Sequence, residues 1–117
     1  MQKIILIDAN ARVGSIKSSR IGLCEVEKET TNGEALRLSL EDMRLNAVNT
    51  FFDAGWTWAG SRHHRSRIDY ILADDELMQA VTDCAVCRDL ELSEAEREDH
   101  FLVGANFEIS SKKCEGT

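Results

Sequence analysis

The sequence predicts an α/β domain in which a mixed or antiparallel sheet carries its helices on one face. Three observations lead there. Apolar runs of strand length, alternating or continuous, recur at Lys3 to Ile7, Ile68 to Leu72 and His100 to Ile109. Residues 32–44 instead repeat Leu36, Leu40 and Met43 at helical spacing, with Leu38 beside that stripe, behind the capping-box pattern TNGE that starts at Thr31. The order strand, helix, strand, strand, helix, strand, strand is that of a layered α/β domain. At 117 residues, 43% hydrophobic and without proline, the chain fits one domain over 1–109, followed by a flexible tail at 110–117.

Lys3 to Ile7 reads as a buried strand that delivers Asp8 and Asn10 at its C-terminal end, where loops hold polar groups on a rigid support. If the strand continues, the two side chains share a side; DAN also suits a plain strand-ending turn. Arg12 to Thr30 lacks a period and reads as a long loop with a short strand at Ile21 to Val26. After the helix, LNAVNTFF at 45–52 reads as a strand that ends near Asn49. Asp53 to Arg67 is a loop bearing Trp56 and Trp58 and the basic run SRHHRSR. Asp74 or Asp75 caps a short helix, DDELMQAV, in which Leu77 and Val81 share a face. A strand near Cys84 to Leu92, an acidic turn SEAERED and the strand from His100 to Ile109 complete the domain. The three apolar strands are expected to share one sheet with the 32–44 helix packed on it. Its opposite face, judged from Ile4, Ile5, Leu6, Ile71, Leu72 and Val103, is apolar too and has nothing obvious in the chain to cover it, so a partner is expected there.

A net charge of −7 argues against a surface that coats nucleic acid generally, although a local basic patch or a bound divalent metal can still supply positive potential at one site. Arg62, Arg65 and Arg67, with His63 and His64, form such a patch in sequence; the same residues also suit a solvated turn that balances acidic neighbours. No apolar run reaches the roughly 18 residues of a membrane span, and the run in MQKIILIDAN stops too soon for a secretory leader. Four cysteines are too few for a disulfide framework, which points to an intracellular setting, nuclear or cytoplasmic. The lone CxxC at Cys84 and Cys87 is expected to be packing or surface thiols.

Asp69 is the conspicuous residue of the strand RIDYIL. A carboxylate inside an apolar strand must find donors or a cation, because unpaired burial costs several kcal/mol. Histidines 63 and 64, the pair Asp99 and His100, or a metal held by other carboxylates are the available partners. Asp8 with Asn10, the loop before Ile68, Asp69, and Asp99 with His100 all fall at or near strand ends. Phosphodiester hydrolysis needs such a set: oxygen ligands for a divalent ion, and a base that orients water. An aspartate that fixes the tautomer of a histidine base is one way to build it.

The motifs DANARVG at 8–14, NG..L at 32–36, L..VNTFF at 45–52, TW at 57–58, RIDYIL at 67–72 and EDHFLVGA at 98–105 give the chain a specific likeness. It resembles the C-terminal half of the endonuclease/exonuclease/phosphatase superfamily, nearest to the endonuclease domains of non-LTR retrotransposons and to craniofacial development protein 2-like sequences. That resemblance implies half of a four-layer, DNase I-like α/β sandwich and Mg²⁺- or Mn²⁺-dependent hydrolysis of nucleic acid. It implies that Asp8 and Asn10 bind the scissile phosphate, that Asp69 orients His100 as the catalytic histidine, and that Asp99 is metal-associated. Arg62, Arg65 and Arg67 are then expected on the nucleic-acid backbone. Ile7 stands where the family has glycine and Glu98 where it has serine. The family's early asparagine and principal metal-binding glutamate belong to an N-terminal half that these residues do not include, so a partner half is expected. The alternative is a catalytically inactive fragment or a degenerate nucleic-acid or protein binding domain.

Overall fold

Residues 68–73 are apolar at every position but Asp69, and a strand of that composition needs cover on both faces. The computed structural model describes residues 3–60, 62, 64–87, 99, 100 and 102–107, with the backbone alone at 87, 99, 100 and 102. The strands are β1 (Ile4–Asp8), β2 (Asn46–Ala47), β3 (Trp58–Ala59), β4 (Arg65–Ser66), β5 (Asp69–Ala73), β6 (Val81–Cys87), β7 (Asp99–His100) and β8 (Leu102–Phe107), and the helices are α1 (Thr31–Met43) and α2 (Asp75–Met78). All the described pairings between these strands are antiparallel. The chain is an α/β fold built on antiparallel sheets with few helices.

The central ladder has the order β1-β5-β2, with Ile4 opposite Ala73 and Asp8 opposite Asp69. Alternation along β5 sends its side chains into two clusters. Tyr70 and Leu72 join Val13, Ile21, Leu36, Leu40 and Leu45, under α1. Ile71 and Ala73 join Val48, Ala54 and Cys84, with Leu77, Val103 and Ala105 packed against them. The two helices therefore pack on opposite sides of β5, not on one face as expected. The face predicted to lack cover is closed over β5 by β6 and β8. The strand expected to be buried at Lys3 to Ile7 is instead an edge strand, β1, and its Ile4, Ile5 and Leu6 side chains are exposed.

Helix α1 begins one residue earlier than the capping box places it. Thr30 is the cap, and its hydroxyl accepts from the Gly33 N–H at 3.1 Å. Leu36 and Leu40 are buried, whereas Leu38 and Met43 are exposed, so the packed stripe is narrower than the spacing suggested. Arg44 ends the helix at φ 59° and donates its N–H to the Leu40 carbonyl. The predicted strand at 45–52 is only β2 followed by a 3-10 turn, Val48–Thr50. The predicted strand at Ile21 to Val26 does not form; single bridges (Gly14 to Glu27, Ser18 to Ile21, Ile21 to Ala47) fasten the 12–30 loop instead.

The expected strand from His100 to Ile109 is divided. Asp99 and His100 pair with β3, and Leu102–Phe107 pairs with β6, so neither piece joins the β1–β5 ladder. The reason is occupancy: β2 already takes the second edge of β5. Within β8 the expected alternation holds, with Val103, Ala105 and Phe107 half-buried and Gly104 and Asn106 exposed. Helix α2 is a single turn capped by the Asp74 carboxylate, which accepts from the Leu77 N–H at 2.9 Å, and Val81 already belongs to β6. Of the acidic turn SEAERED at 93–99 only Asp99 is described, at the start of β7; residues 93–98 and the tail at 110–117 lie outside the described residues. No helix among the described residues is long and apolar enough to cross a membrane.

Candidate active site

Hydrogen bonding along the β1–β5 ladder fixes which residues face each other closely. The Ala9 N–H donates to the Ile68 carbonyl at 3.0 Å and the Asp74 N–H to the Lys3 carbonyl at 3.2 Å. Odd-numbered residues of β1 therefore point their backbone groups at β5, and the pair Asp8–Asp69 is a non-hydrogen-bonded one, the class in which opposed side chains lie closest. Two carboxylates directly opposite one another disfavour a sheet. A local rule broken in this way is characteristic of functional sites.

Asp69 is positioned by its neighbours. The buried Thr57 hydroxyl accepts from both the Ile68 and the Asp69 N–H groups at 3.0 Å, and the buried Asn49 amide donates to the Asp69 carbonyl at 3.0 Å while its oxygen accepts from the Ile71 N–H at 3.2 Å. Asn49 thus completes the edge of β5 where β2 stops. Thr57 immediately precedes Trp58, and Trp58 stands opposite His100 in the β3–β7 ladder, with Ala59 opposite Asp99. Through Thr57 the strand end that carries Asp8 and Asp69 is thus tied to the segment that leads into β3, the strand paired with the Asp99 and His100 positions.

The turn after β1 is held by the start of α1. Asn10 sits at φ 47°, a left-handed conformation that asparagine tolerates, and its N–H donates to an Asp8 carboxylate oxygen at 3.2 Å. The chain therefore turns at Asp8 instead of continuing as a strand. Asn32 donates from its amide to the Asn10 carbonyl at 3.0 Å, and Thr30 accepts from the Arg12 N–H at 3.1 Å. Close approach here requires Gly33, since a Cβ on it would lie 2.0 Å from the Arg12 carbonyl oxygen.

The three arginines separate. Arg62 and Arg65 are exposed, and the Arg65 guanidinium stacks 4.6 Å from the Trp56 ring centroid. Arg67 is 2% exposed; it donates to the Cys24 carbonyl at 2.7 Å and the Val13 carbonyl at 3.3 Å, and lies over Tyr70. Its burial removes it from the arginines able to reach a phosphate backbone and makes it the tie that folds the 12–30 loop onto the sheet. Glu27 accepts from the Arg67 N–H at 3.2 Å; burial pushes its carboxyl above the usual range, with Arg67 opposing that shift. Burial also raises the Tyr70 phenol to about 12, and its hydroxyl donates to the Ala11 carbonyl at 2.7 Å with the Arg67 carbonyl 2.8 Å away. Cys84 is buried with its thiol pushed up to about 11, as befits packing. His64 is exposed; His63 and Glu98 lie outside the described residues.

Among the described residues no three His, Cys, Asp or Glu side chains converge as a metal site. Asp8 and Asp69 occupy directly opposed backbone positions, and carboxylate oxygens such as those of Asp99 are of the kind that suits Mg²⁺. Thr57, Asn49, Thr30 and Gly33 are the positioning residues that sequence reasoning left unassigned; the signal for Asn49 and Thr57 was a polar residue set inside an otherwise apolar or aromatic run. No family model, curated protein or solved structure matches the chain.

Proposed function

We propose that this chain supplies one half of a metal-dependent phosphodiesterase site that acts on nucleic acid, within half of a four-layer DNase I-like sandwich. One observation carries the reading: Asp8 and Asp69 stand directly opposite each other, and Thr57 links Asp69 to the strand that pairs with His100. The quoted motifs support it, since each of those residues occupies a motif position.

In this mechanism Asp69 holds the His100 imidazole in one tautomer and His100 takes the proton of the attacking water. Asp8 and Asn10 address the reacting phosphate, with the Asn10 N–H to Asp8 bond setting their spacing. Asp99 and a glutamate from the complementary half would hold Mg²⁺, which neutralises charge developing on the phosphoryl oxygens. Arg62 and Arg65 hold the nucleic-acid backbone without reading bases.

The test is Mg²⁺-dependent nicking of supercoiled plasmid by the chain joined to a glutamate-bearing half, beside its His100→Ala version. Removal of a positioned proton-transfer group is expected to lower turnover by roughly 10² to 10⁴ at nearly unchanged binding. Equal nicking by both removes His100 from the mechanism. No nicking by either, with folding confirmed, leaves a catalytically inactive binding domain.

A further inference from the structure

Among the described residues, the outer edge of β1 presents both open backbone groups and large apolar side chains together. Strand β1 pairs with β5 along one side, and among the described residues no strand pairs with the other. Because the odd residues of β1 bond toward β5, the N–H and C=O groups of Ile4 and Leu6 point outward. The side chains beside them are exposed on both faces of the sheet: Ile4 48%, Ile5 41% and Leu6 72%. Native sheets usually blunt such an edge with proline, an inward charge or a bulge. This strand has none between Ile4 and Leu6, and its register against β5 is unbroken.

We propose that this edge pairs antiparallel with β1 of a second copy of the chain, about a two-fold axis at Ile5. The choice of occupant follows from self-complementarity. A two-fold axis normal to a continuous sheet pairs residues of like parity, and with the axis at Ile5 it sets Ile4 against Leu6 of the partner subunit. Those are the two residues whose backbone groups already point outward, so four hydrogen bonds close with no rearrangement. Ile5 meets its own copy on the α1 side, and the apolar faces run on unbroken. The charges agree with this register. Each Asp8 lies three residues from the axis, which separates the two carboxylates by roughly 20 Å along the strands, beyond the screening length at physiological salt. Moving the axis to Leu6 would instead set Asp8 against Ile4 of the partner subunit and bring the carboxylates closer. The contact is narrow, so the dimer belongs to the weak, concentration-dependent class.

The pairing stands on edge geometry alone, whatever chemistry the nearby carboxylates perform. Sedimentation velocity of the whole chain over a hundredfold concentration range tests it. The expected result is a reversible monomer to dimer shift that Leu6→Lys abolishes, with the circular dichroism of the variant unchanged because Leu6 is already largely exposed. An Ile5→Cys variant gives an independent measure. In the proposed register the two Cα atoms at position 5 fall about 4.5 Å apart, inside the range for a disulfide. Oxidation should then link copies through residue 5 roughly tenfold faster than in a Leu38→Cys control, with the bond located by peptide mapping. A wild-type chain that stays monomeric throughout, a Leu6→Lys chain that still dimerises, or cross-linking of Ile5→Cys no faster than the control would overturn the proposal.

Discussion

Replacing Thr57 by valine keeps the shape of a fully buried side chain and deletes one oxygen atom. That oxygen accepts from two backbone donors, the Ile68 and Asp69 N–H groups, each at 3.0 Å. A buried donor left without an acceptor costs about 1–3 kcal/mol, and Asp69 is only half-buried, so about 2–4 kcal/mol is expected for the pair. Thr57→Ser separates this from packing: it keeps the oxygen and removes a methyl group, which costs about 1 kcal/mol. Against a total stability of about 5–15 kcal/mol the difference is large. Urea titration followed by circular dichroism should place the midpoint of Thr57→Val well below that of Thr57→Ser. In thermal unfolding the gap between them should be roughly 5–15 °C. A valine variant as stable as the serine variant would refute the view that Thr57 is the hinge between β3 and the Asp69 strand.

Four further outcomes follow from the same geometry. Arg67→Ala should destabilise the chain by about 3–5 kcal/mol in urea unfolding, because it strips two carbonyls and Glu27 of a buried cation. Arg62→Ala should stay within about 0.5 kcal/mol. Under the proposed function, in the chain joined to a glutamate-bearing half, it should flatten the salt dependence of nucleic-acid binding by about one unit of log–log slope, measured by fluorescence anisotropy. Gly33→Ala should lose about 1–3 kcal/mol in the same titration despite the better helix propensity of alanine, since its Cβ meets the Arg12 carbonyl. Glu27 gives a pH dependence. Its carboxyl is raised above its unfolded value by burial, so the folded state holds the proton more tightly and this residue's contribution weakens as pH rises from 4.5 through the raised value. Urea midpoints of Glu27→Gln relative to wild type should therefore climb between acid and neutral pH, and a constant difference would contradict the burial argument.

Legibility in the sequence tracked how local each determinant is. The strand RIDYIL and the DAN turn were readable because alternation and turn chemistry act over a few residues, and their ladder places Asp8 opposite Asp69. The α1 cap was misplaced by one residue because Thr30 and Thr31 are both competent caps; the Arg12 backbone, which also bonds Thr30, selects the first. The division of the last strand could not be read, since which ladder receives each piece depends on β2 occupying the edge of β5. Nor could the fates of the arginines. Arg62, Arg65 and Arg67 look alike in sequence, and only Arg67 meets carbonyls contributed by the distant 12–30 loop. That loop has no periodicity because isolated bridges and one guanidinium hold it, not a repeating ladder.

Under the proposed function Asp69 and His100 act as one unit, with Asp69 opposite Asp8 in the β1–β5 ladder. A double-mutant cycle on turnover in the chain joined to a glutamate-bearing half, with Asp69→Ala, His100→Ala and the combination assayed for Mg²⁺-dependent plasmid nicking under single-turnover conditions, decides whether they do. Residues that work through one another are non-additive. The double variant is expected to be no slower than His100→Ala alone. Losses that multiply, so that the double variant falls below His100→Ala by the full factor lost in Asp69→Ala, would contradict it.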